Sequence, residues 1–242
     1  MQTIRSLTAD GRLLFATRLA RLFAYGFLSV VLVLYLAAAG LSETEIGLLL
    51  TLTLVGDTLV SLWITTSADR IGRKRMLLIG AGLMVLAGLV FAVTRNYWLL
   101  VIAATIGVIS PSGYEVGPFL SIEQASLSQI VTDEQRTQTL AWYNLVGSFA
   151  TAAGALVAGG LSQYLQNTGF AVLDSYRVVV VGYALMGLLL AVIFTQLSGK
   201  IEVPQAVSPQ TGKDEGRGFF GLHKSRNVVL KLAALFSLDA FA

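Results

Sequence analysis

The sequence predicts an all-α membrane protein, a polytopic bundle of six transmembrane helices followed by the start of a seventh. Apolar residues make up 55% and charged residues only 13% of its 242 positions, whereas a soluble domain carries roughly 25% charged residues. The apolar residues form runs of about 20 residues, the length that a helix needs to cross a bilayer. Lys and Arg concentrate in alternate connections between these runs.

Six apolar runs are long enough to be transmembrane helices. We place them at residues 19–39, 46–67, 76–94, 97–119, 139–160 and 176–197. The first run is longer than the apolar core of a signal peptide, so we expect it to be retained as a span. Residues 1–197 are therefore predicted to form one six-helix bundle.

Composition changes after the sixth run. Residues 198–227 are polar and charged and contain two prolines, which is typical of a linker. Residues 228–242 begin another apolar helix, but they are too few to cross a bilayer upright. We therefore expect an inner linker and then the truncated start of a seventh helix.

Local signals mark the start of the second span and a break in the fourth. Ser42 and Glu45 have the spacing of a capping box, which predicts the start of the second helix. Pro111 and Pro118 lie in the fourth span, and each removes a backbone donor, so its inner half is not expected to be a regular helix. Residues 121–138 are polar and are interpreted as a partly helical inner loop.

The fifth span carries two rows of small residues at helical spacing. They are Gly147, Thr151, Gly154 and Ala158, and beside them Ser148, Ala152, Ala155 and Gly159. Because small side chains let helix backbones approach closely in lipid, we expect another helix to pack tightly on this span.

The distribution of positive charge predicts the orientation. Of the 17 Lys and Arg residues, only Arg95 and Arg177 fall in outer loops when the N-terminus is placed inside. Positively charged loops stay in the cytoplasm, so we expect a multi-pass protein of the cell membrane with a cytoplasmic N-terminus. Arg18 and Arg21 are expected to extend to the cytoplasmic interface. The alternative for Arg21 is a position facing a substrate path.

Several function classes are excluded by composition. The chain has no cysteine and one histidine, so we expect no disulfide, no thiol chemistry, no metal site and no cofactor. Its cations lie at span ends and not on an aromatic-rich face, which argues against nucleic acid as a partner. Neither a phosphate-binding loop of the ATPase type nor a Ser/His set within the spans is present, so we do not expect an enzyme.

The loop between the second and third spans carries the most specific motif. Its residues are Asp69, Arg70, Ile71, Gly72, Arg73, Lys74 and Arg75. This pattern resembles the loop signature of the major facilitator superfamily of secondary transporters, with Thr65 where that signature usually has glycine. The resemblance implies a conformational gate formed by Asp69, Arg70, Gly72, Arg73, Lys74 and Arg75.

The resemblance also implies an architecture and an activity. A complete transporter of this kind has twelve spans in two halves with the solute site between them, so the C-terminal half would be missing from this chain. Implied partners are the lipid bilayer, a small-molecule solute and protons. We favour a drug or metabolite exporter that works by alternating access, because sugar-porter signatures are absent. The alternative is a non-transporting scaffold or receptor-like bundle, or an inactive fragment of a transporter.

Three carboxylates are candidates for a role within the bundle. Asp57 lies mid-span and Glu115 lies between the two prolines. Both are candidates for proton coupling or solute binding, because an intramembrane carboxylate is costly and faces a cavity or a partner. A hydrogen bond to Ser or Thr on a neighbouring span is the alternative for Asp57. We expect Glu123 to form a structural ion pair with the basic loop or with Arg136.

Overall fold

The computed structural model describes residues 7–113, 118–202 and Lys231. Glu115 and residues 203–227 of the predicted linker lie outside the described residues, as does the predicted seventh-helix start except for Lys231. The chain divides into two compact units, Met1–Pro204 and Gln205–Ala242. Every helix whose bounds follow belongs to the first unit.

The described residues of this unit form seven α-helices and one short 3-10 turn. They are α1 (Ala9–Ala38), α2 (Glu43–Ile71), α3 (Arg73–Val93), α4 (Tyr97–Ile106), α5 (Phe119–Ile130), α6 (Asp133–Asn167), α7 (Val172–Thr195) and the 3-10 turn Gly199–Ile201. Five of them, α1, α2, α3, α6 and α7, are long and apolar enough to cross a membrane, and α4 is a shorter apolar helix. The predicted all-α membrane class is confirmed.

Helix ends follow the capping signals. The hydroxyl of Ser42 accepts the backbone N–H of Glu45, and the carboxylate of Glu45 accepts the backbone N–H of Ser42 at 2.8 Å. The predicted capping box at the start of α2 is thus confirmed. Helix α1 begins ten residues before the predicted span, where the Thr8 hydroxyl accepts the backbone N–H of Gly11 and caps almost three additional turns.

Helix α1 lies at the centre of the packing and contacts both α6 and α7. The α1–α6 contact is made backbone to backbone. A Cβ atom at Gly26 would lie 2.0 Å from the Thr151 carbonyl oxygen, and one at Gly154 would lie 2.1 Å from the Phe23 carbonyl oxygen. The expectation of tight packing on the small-residue face of the fifth span is confirmed, and α1 is the helix that uses it.

The predicted fourth span is a broken helix. Regular structure stops at Ile106, Val108 adopts a left-handed φ of 53°, and helix resumes at Phe119 after Pro118. The predicted irregularity is confirmed. The helical part of the partly helical inner loop predicted over residues 121–138 is found, but the segment is not a loop. Helix α5 runs to Ile130 and buries Phe119, Ile122, Glu123, Ser126 and Leu127 along one side.

The start of α1 and the residues just after α7 meet at one end of the bundle. The carboxylate of Asp10, near the start of α1, accepts the backbone N–H of Ser198 at 2.9 Å, just after α7. The ammonium group of Lys74 in the basic loop donates to the Leu197 carbonyl oxygen at 2.7 Å. The beginning of α1, the basic loop and the end of α7 therefore share one boundary of the bundle.

Candidate functional site

A buried ion pair joins α1 to α5. The guanidinium of Arg21 donates from both terminal nitrogens to the two carboxylate oxygens of Glu123, each at 2.8 Å, and both side chains are 0% exposed. Thr17 donates its hydroxyl to the same carboxylate at 2.8 Å, and the Tyr143 hydroxyl on α6 donates to it as well. Four donors therefore surround one buried carboxylate, which offsets much of its desolvation cost.

The predicted partner of Glu123 is wrong. Arg136 lies at the exposed start of α6 and pairs with Asp133 at 2.6 Å and with the Ser128 carbonyl oxygen at 3.1 Å. Glu123 lies on the buried side of α5 and faces α1. Arg136 lies on α6 and is partly exposed, so it does not reach Glu123. Thr17 and Arg21 are four residues apart on α1 and so share one helix face, a signal that could have indicated an inward-facing polar stripe.

The expectation that Arg18 and Arg21 reach the membrane interface is also wrong. Arg21 is 0% exposed and Arg18 is 6% exposed. The guanidinium of Arg18 lies over the Tyr143 ring at 4.5 Å, and that of Arg21 lies over the Phe119 ring at 4.8 Å. Because α1 extends ten residues further toward the N-terminus than predicted, both arginines lie well inside the helix, and their side chains turn toward neighbouring helices.

The basic loop is anchored within the same bundle. The Glu202 carboxylate accepts the backbone N–H groups of Arg73 at 2.7 Å and Lys74 at 3.1 Å, at the half-buried N-terminus of α3. Arg73 also donates to the Gln129 side-chain oxygen on α5 at 2.9 Å. The Lys74 ammonium group donates to two carbonyl oxygens at the end of α7. We call Arg73, Lys74, Gln129 and Glu202 the basic-loop clamp.

The remaining charged residues of the predicted gate are exposed. The side chain of Asp69 is 66% exposed, and its partner among the described residues is Arg73, four residues along the chain, at 3.2 Å. Arg70 and Arg75 are exposed as well. Gly72 connects α2 to α3 with a φ of 111°, a conformation that favours glycine. The structure thus gives Arg73 and Lys74 partners in this bundle and presents Asp69, Arg70 and Arg75 at its surface.

Asp57 is buried in α2 and has no hydrogen-bond partner in the described part of the chain. Its residue exposure is 2%, and neither carboxylate oxygen accepts a hydrogen bond from a described residue. The expected alternative, a bond to Ser or Thr on a neighbouring span, is therefore absent from the described part of the chain. The neighbouring Gly56 fits directly against the Thr105 backbone of α4, so Asp57 lies beside the helix that breaks.

A cleft of about 710 Å³ opens beside that break, between α1, α5 and α6. Its polar lining residues are Arg18, Ser29, Ser112, Asn144, Ser148 and Thr151. The second row of small residues on α6 faces this cleft, through Ser148, Ala152 and Ala155. One side of α6 therefore packs on α1, while the adjacent side forms a wall of the cavity.

Together these features define a class of protein. Multi-pass apolar helices, a broken helix beside a polar cleft and charged side chains buried at membrane depth are features of membrane transport proteins. Residues 14–242 match the model of the Major Facilitator Superfamily. The chain belongs to this superfamily, and so to a family of multi-pass integral membrane transport proteins and not of enzymes.

Two known proteins show how far the similarity extends. The uncharacterized membrane protein YJR124C of Saccharomyces cerevisiae is 40% identical over 196 residues, which cover 80% of this chain and 44% of that protein. The crystal structure of a D-xylose-proton symporter superposes with a TM-score of 0.57 at 17% identity, covering 95% of this chain and 52% of the symporter. At that identity the symporter shows the fold alone. The chain spans about half the length of either protein.

Proposed function

We propose that this chain forms one half of a secondary transporter that moves a small solute across the cell membrane by alternating access. The observation that carries the proposal is the polar cleft of about 710 Å³ beside the broken fourth span. Irregular backbone at membrane depth is tolerated where it lines a cavity or is covered by protein. Superfamily membership and the coverage of about half of both relatives support the same proposal.

Export of a drug or metabolite is the direction we propose, with the N-terminus in the cytoplasm. The charge bias supports the orientation, because the basic loop and the start of α1 share one boundary of the bundle. The structural neighbour is a D-xylose-proton symporter, and we propose protons as the coupling ion of this chain as well.

Asp57 is the coupling residue that we propose. Burying an ionised carboxylate without a partner costs free energy, and protonation removes that cost. Gain and loss of a proton at Asp57 can therefore favour different packings of α2 against the broken helix α4. Glu123 lacks this property, since its carboxylate is held by four donors. Glu115 remains a second candidate for coupling, outside the described residues.

The gate that we propose uses the exposed residues of the basic loop. Asp69, Arg70 and Arg75 are presented at the bundle surface and are available to the other half of the transporter. Arg73 and Lys74, with Gly72 at the turn, fix the loop to this half through Glu202. Gating by a charge network requires differences of only a few kcal/mol between access states.

Proton movement in vesicles tests the coupling. The intact protein is reconstituted with a pH-sensitive dye inside, and solutes are added from a panel of drugs, organic anions and D-xylose. We expect solute-dependent proton flux that falls at least about tenfold in Asp57→Asn. Glu134→Gln, which removes an exposed carboxylate at the start of α6, is the matched control and should transport like the parent protein.

Three outcomes separate the alternatives. Unchanged flux in Asp57→Asn with lost flux in Glu115→Gln would move the coupling role to Glu115. Unchanged flux in both variants would overturn carboxylate coupling. A correctly folded protein that moves no solute of the panel would favour a scaffold or an inactive fragment.

A further inference from the structure

Helix α2 carries a row of polar side chains that leads from its middle to the basic loop. Asp57, Ser61, Thr65 and Asp69 follow one another at intervals of four residues, a spacing that places successive members next to each other on the helix surface. Asp57 is 2% exposed, Ser61 is half-buried, Thr65 is exposed, and the Asp69 side chain is 66% exposed. The row therefore connects a buried carboxylate to one boundary of the bundle, over about 18 Å of helix.

The hydroxyl of Ser61 is buried and has no hydrogen-bond partner in the described part of the chain. Two threonines of α2 outside the row behave differently, since Thr58 and Thr66 each donate to the carbonyl oxygen four residues earlier, a common bond for such side chains in helices. Asp57, one turn before Ser61, also lacks a described partner. Buried polar groups nearly always bind a protein group or water. The hydroxyl of Ser61 and the carboxylate of Asp57 therefore form a site suited to water.

One turn further along the row, α2 meets α5. The hydroxyls of Thr65 and Ser121 are hydrogen-bonded at 3.1 Å. Beside them lies a cavity of about 90 Å³, whose polar lining residues are Thr65, Asp69, Arg73 and Ser121. A polar cavity of that volume has room for a few water molecules. It adjoins the basic loop, at the boundary that we propose to be cytoplasmic. Thr65 also replaces the usual glycine of the loop signature, and a glycine would supply no hydroxyl here.

The other groups around Asp57 stay inside the bundle. Tyr25 on α1 and Tyr183 on α7 interact electrostatically with Asp57, and both are 0% exposed. Helix α4, which packs on α2, carries no charged residue. The cations of α3 lie in its first turn, and the charged residue of α5, Glu123, is held by four donors. The two tyrosines thus end in buried surroundings, whereas the row on α2 reaches the surface.

We propose that Asp57 exchanges its proton with the cytoplasmic side along this row. Successive members are about 6 Å apart along the helix axis, a gap that one water molecule bridges with two hydrogen bonds of about 2.8 Å. The carboxyl of Asp57 gives its proton to water at Ser61. Each hydroxyl or water beyond accepts one proton and passes on its own, so Asp57 becomes a carboxylate and one proton leaves at the cavity. This inference rests on the proposed coupling role of Asp57 and adds the residues that conduct its proton.

Time-resolved infrared spectroscopy of the intact protein in detergent measures this exchange without any solute. The carboxyl band that disappears in Asp57→Asn reports protonated Asp57, and its rise is followed after a rapid drop to a pH at which it is saturated. We expect Ser61→Ala and Thr65→Val to slow the rise at least about tenfold, the lower range for a positioned proton-transfer group, and to leave its final amplitude unchanged. Thr58→Val is the matched control and should not slow it, because it removes a hydroxyl beside Asp57 in the chain but outside the row.

A reversible block tests the same path within one protein. The chain contains no cysteine of its own, so Thr65→Cys carries a single thiol that an uncharged methanethiosulfonate modifies. Modification should slow the rise of the Asp57 band at least about tenfold, and a reductant that removes the adduct should restore the rate. Thr58→Cys, treated in the same way, is the control and should keep the parent rate throughout.

The outcomes separate the path from the transport function. Parent rates in both Ser61→Ala and Thr65→Val would overturn the path, as would slowing in Tyr25→Phe alone, which would place the route on the side of α1. Absence of a pH-dependent Asp57 band would overturn the path and the coupling role together. Should Ser61→Ala fail to fold, the block at position 65 still decides. Exchange that depends on the row in a protein that moves no solute in vesicles would support the path and overturn the proposed transport.

Discussion

The bundle has two charged regions in which carboxylates accept hydrogen bonds, and they differ in burial. The Arg21–Glu123 pair is 0% exposed, and protein groups supply all its described hydrogen bonds. The basic-loop clamp lies at the end of the bundle, where the Arg73 side chain is 12% exposed and Glu202 bonds to backbone N–H groups. If one partner of the buried pair is removed, water cannot take its place beside the remaining charge. If one partner of the clamp is removed, water can reach the group that remains. Burial, and not the number of contacts, should therefore decide what each region contributes to stability.

Glu123→Gln should have the largest effect, because it removes the buried carboxylate to which Arg21 donates two 2.8 Å hydrogen bonds. We expect a loss of about 3–5 kcal/mol in the free energy of unfolding, measured by thermal unfolding in detergent. The double variant Arg21→Met, Glu123→Leu should recover most of this loss, since it removes both charges together. Glu134→Gln is the control at an exposed carboxylate. A Glu123→Gln protein as stable as the parent would contradict the comparison.

Glu202→Ala should have an intermediate effect. It removes the acceptor for two N–H groups at the start of α3, and water can replace that acceptor at the bundle surface. We expect a loss of about 1–2 kcal/mol, typical of a helix N-terminal cap. High salt should reduce the contribution of Glu202 and leave that of Glu123 nearly unchanged, because buried pairs are screened little. A Glu202 effect that exceeds the Glu123 effect would reverse the ranking.

Arg136→Gln should have the smallest effect, although the 2.6 Å between its guanidinium and the Asp133 carboxylate is the shortest distance of the ion pairs among the described residues. The Asp133 side chain is 86% exposed and that of Arg136 is 44% exposed. Exposed pairs contribute little, so we expect a change below about 0.5 kcal/mol in the same unfolding measurement. A loss above about 2 kcal/mol would show that contact distance outweighs burial here.

Local patterns in the sequence predicted the elements of the fold. The apolar runs predicted the spans, Ser42 and Glu45 predicted a cap, and Pro111 and Pro118 predicted the broken helix. Each of these signals lies within a few residues of the feature that it forms. The buried side of α5 was missed, because Glu123 and Ser126 make that side look polar when its partner helix is not known.

Long-range pairing was not predictable from the same patterns. Glu123 and Arg21 are separated by 102 positions, and Glu202 and Arg73 by 129. Several carboxylates and arginines compete as partners, and only the helix arrangement decides among them. The cleft and its polar lining follow from the same arrangement.

The close crossing of α1 and α6 has a mechanical consequence. With no room for even a methyl group at Gly26 or Gly154, neither helix can slide or rotate against the other without separating their backbones. We therefore expect these two helices to move as one rigid unit when the conformation changes. Bending within this half has to occur elsewhere, and the helix break around Val108 is the place in the described chain where it can occur.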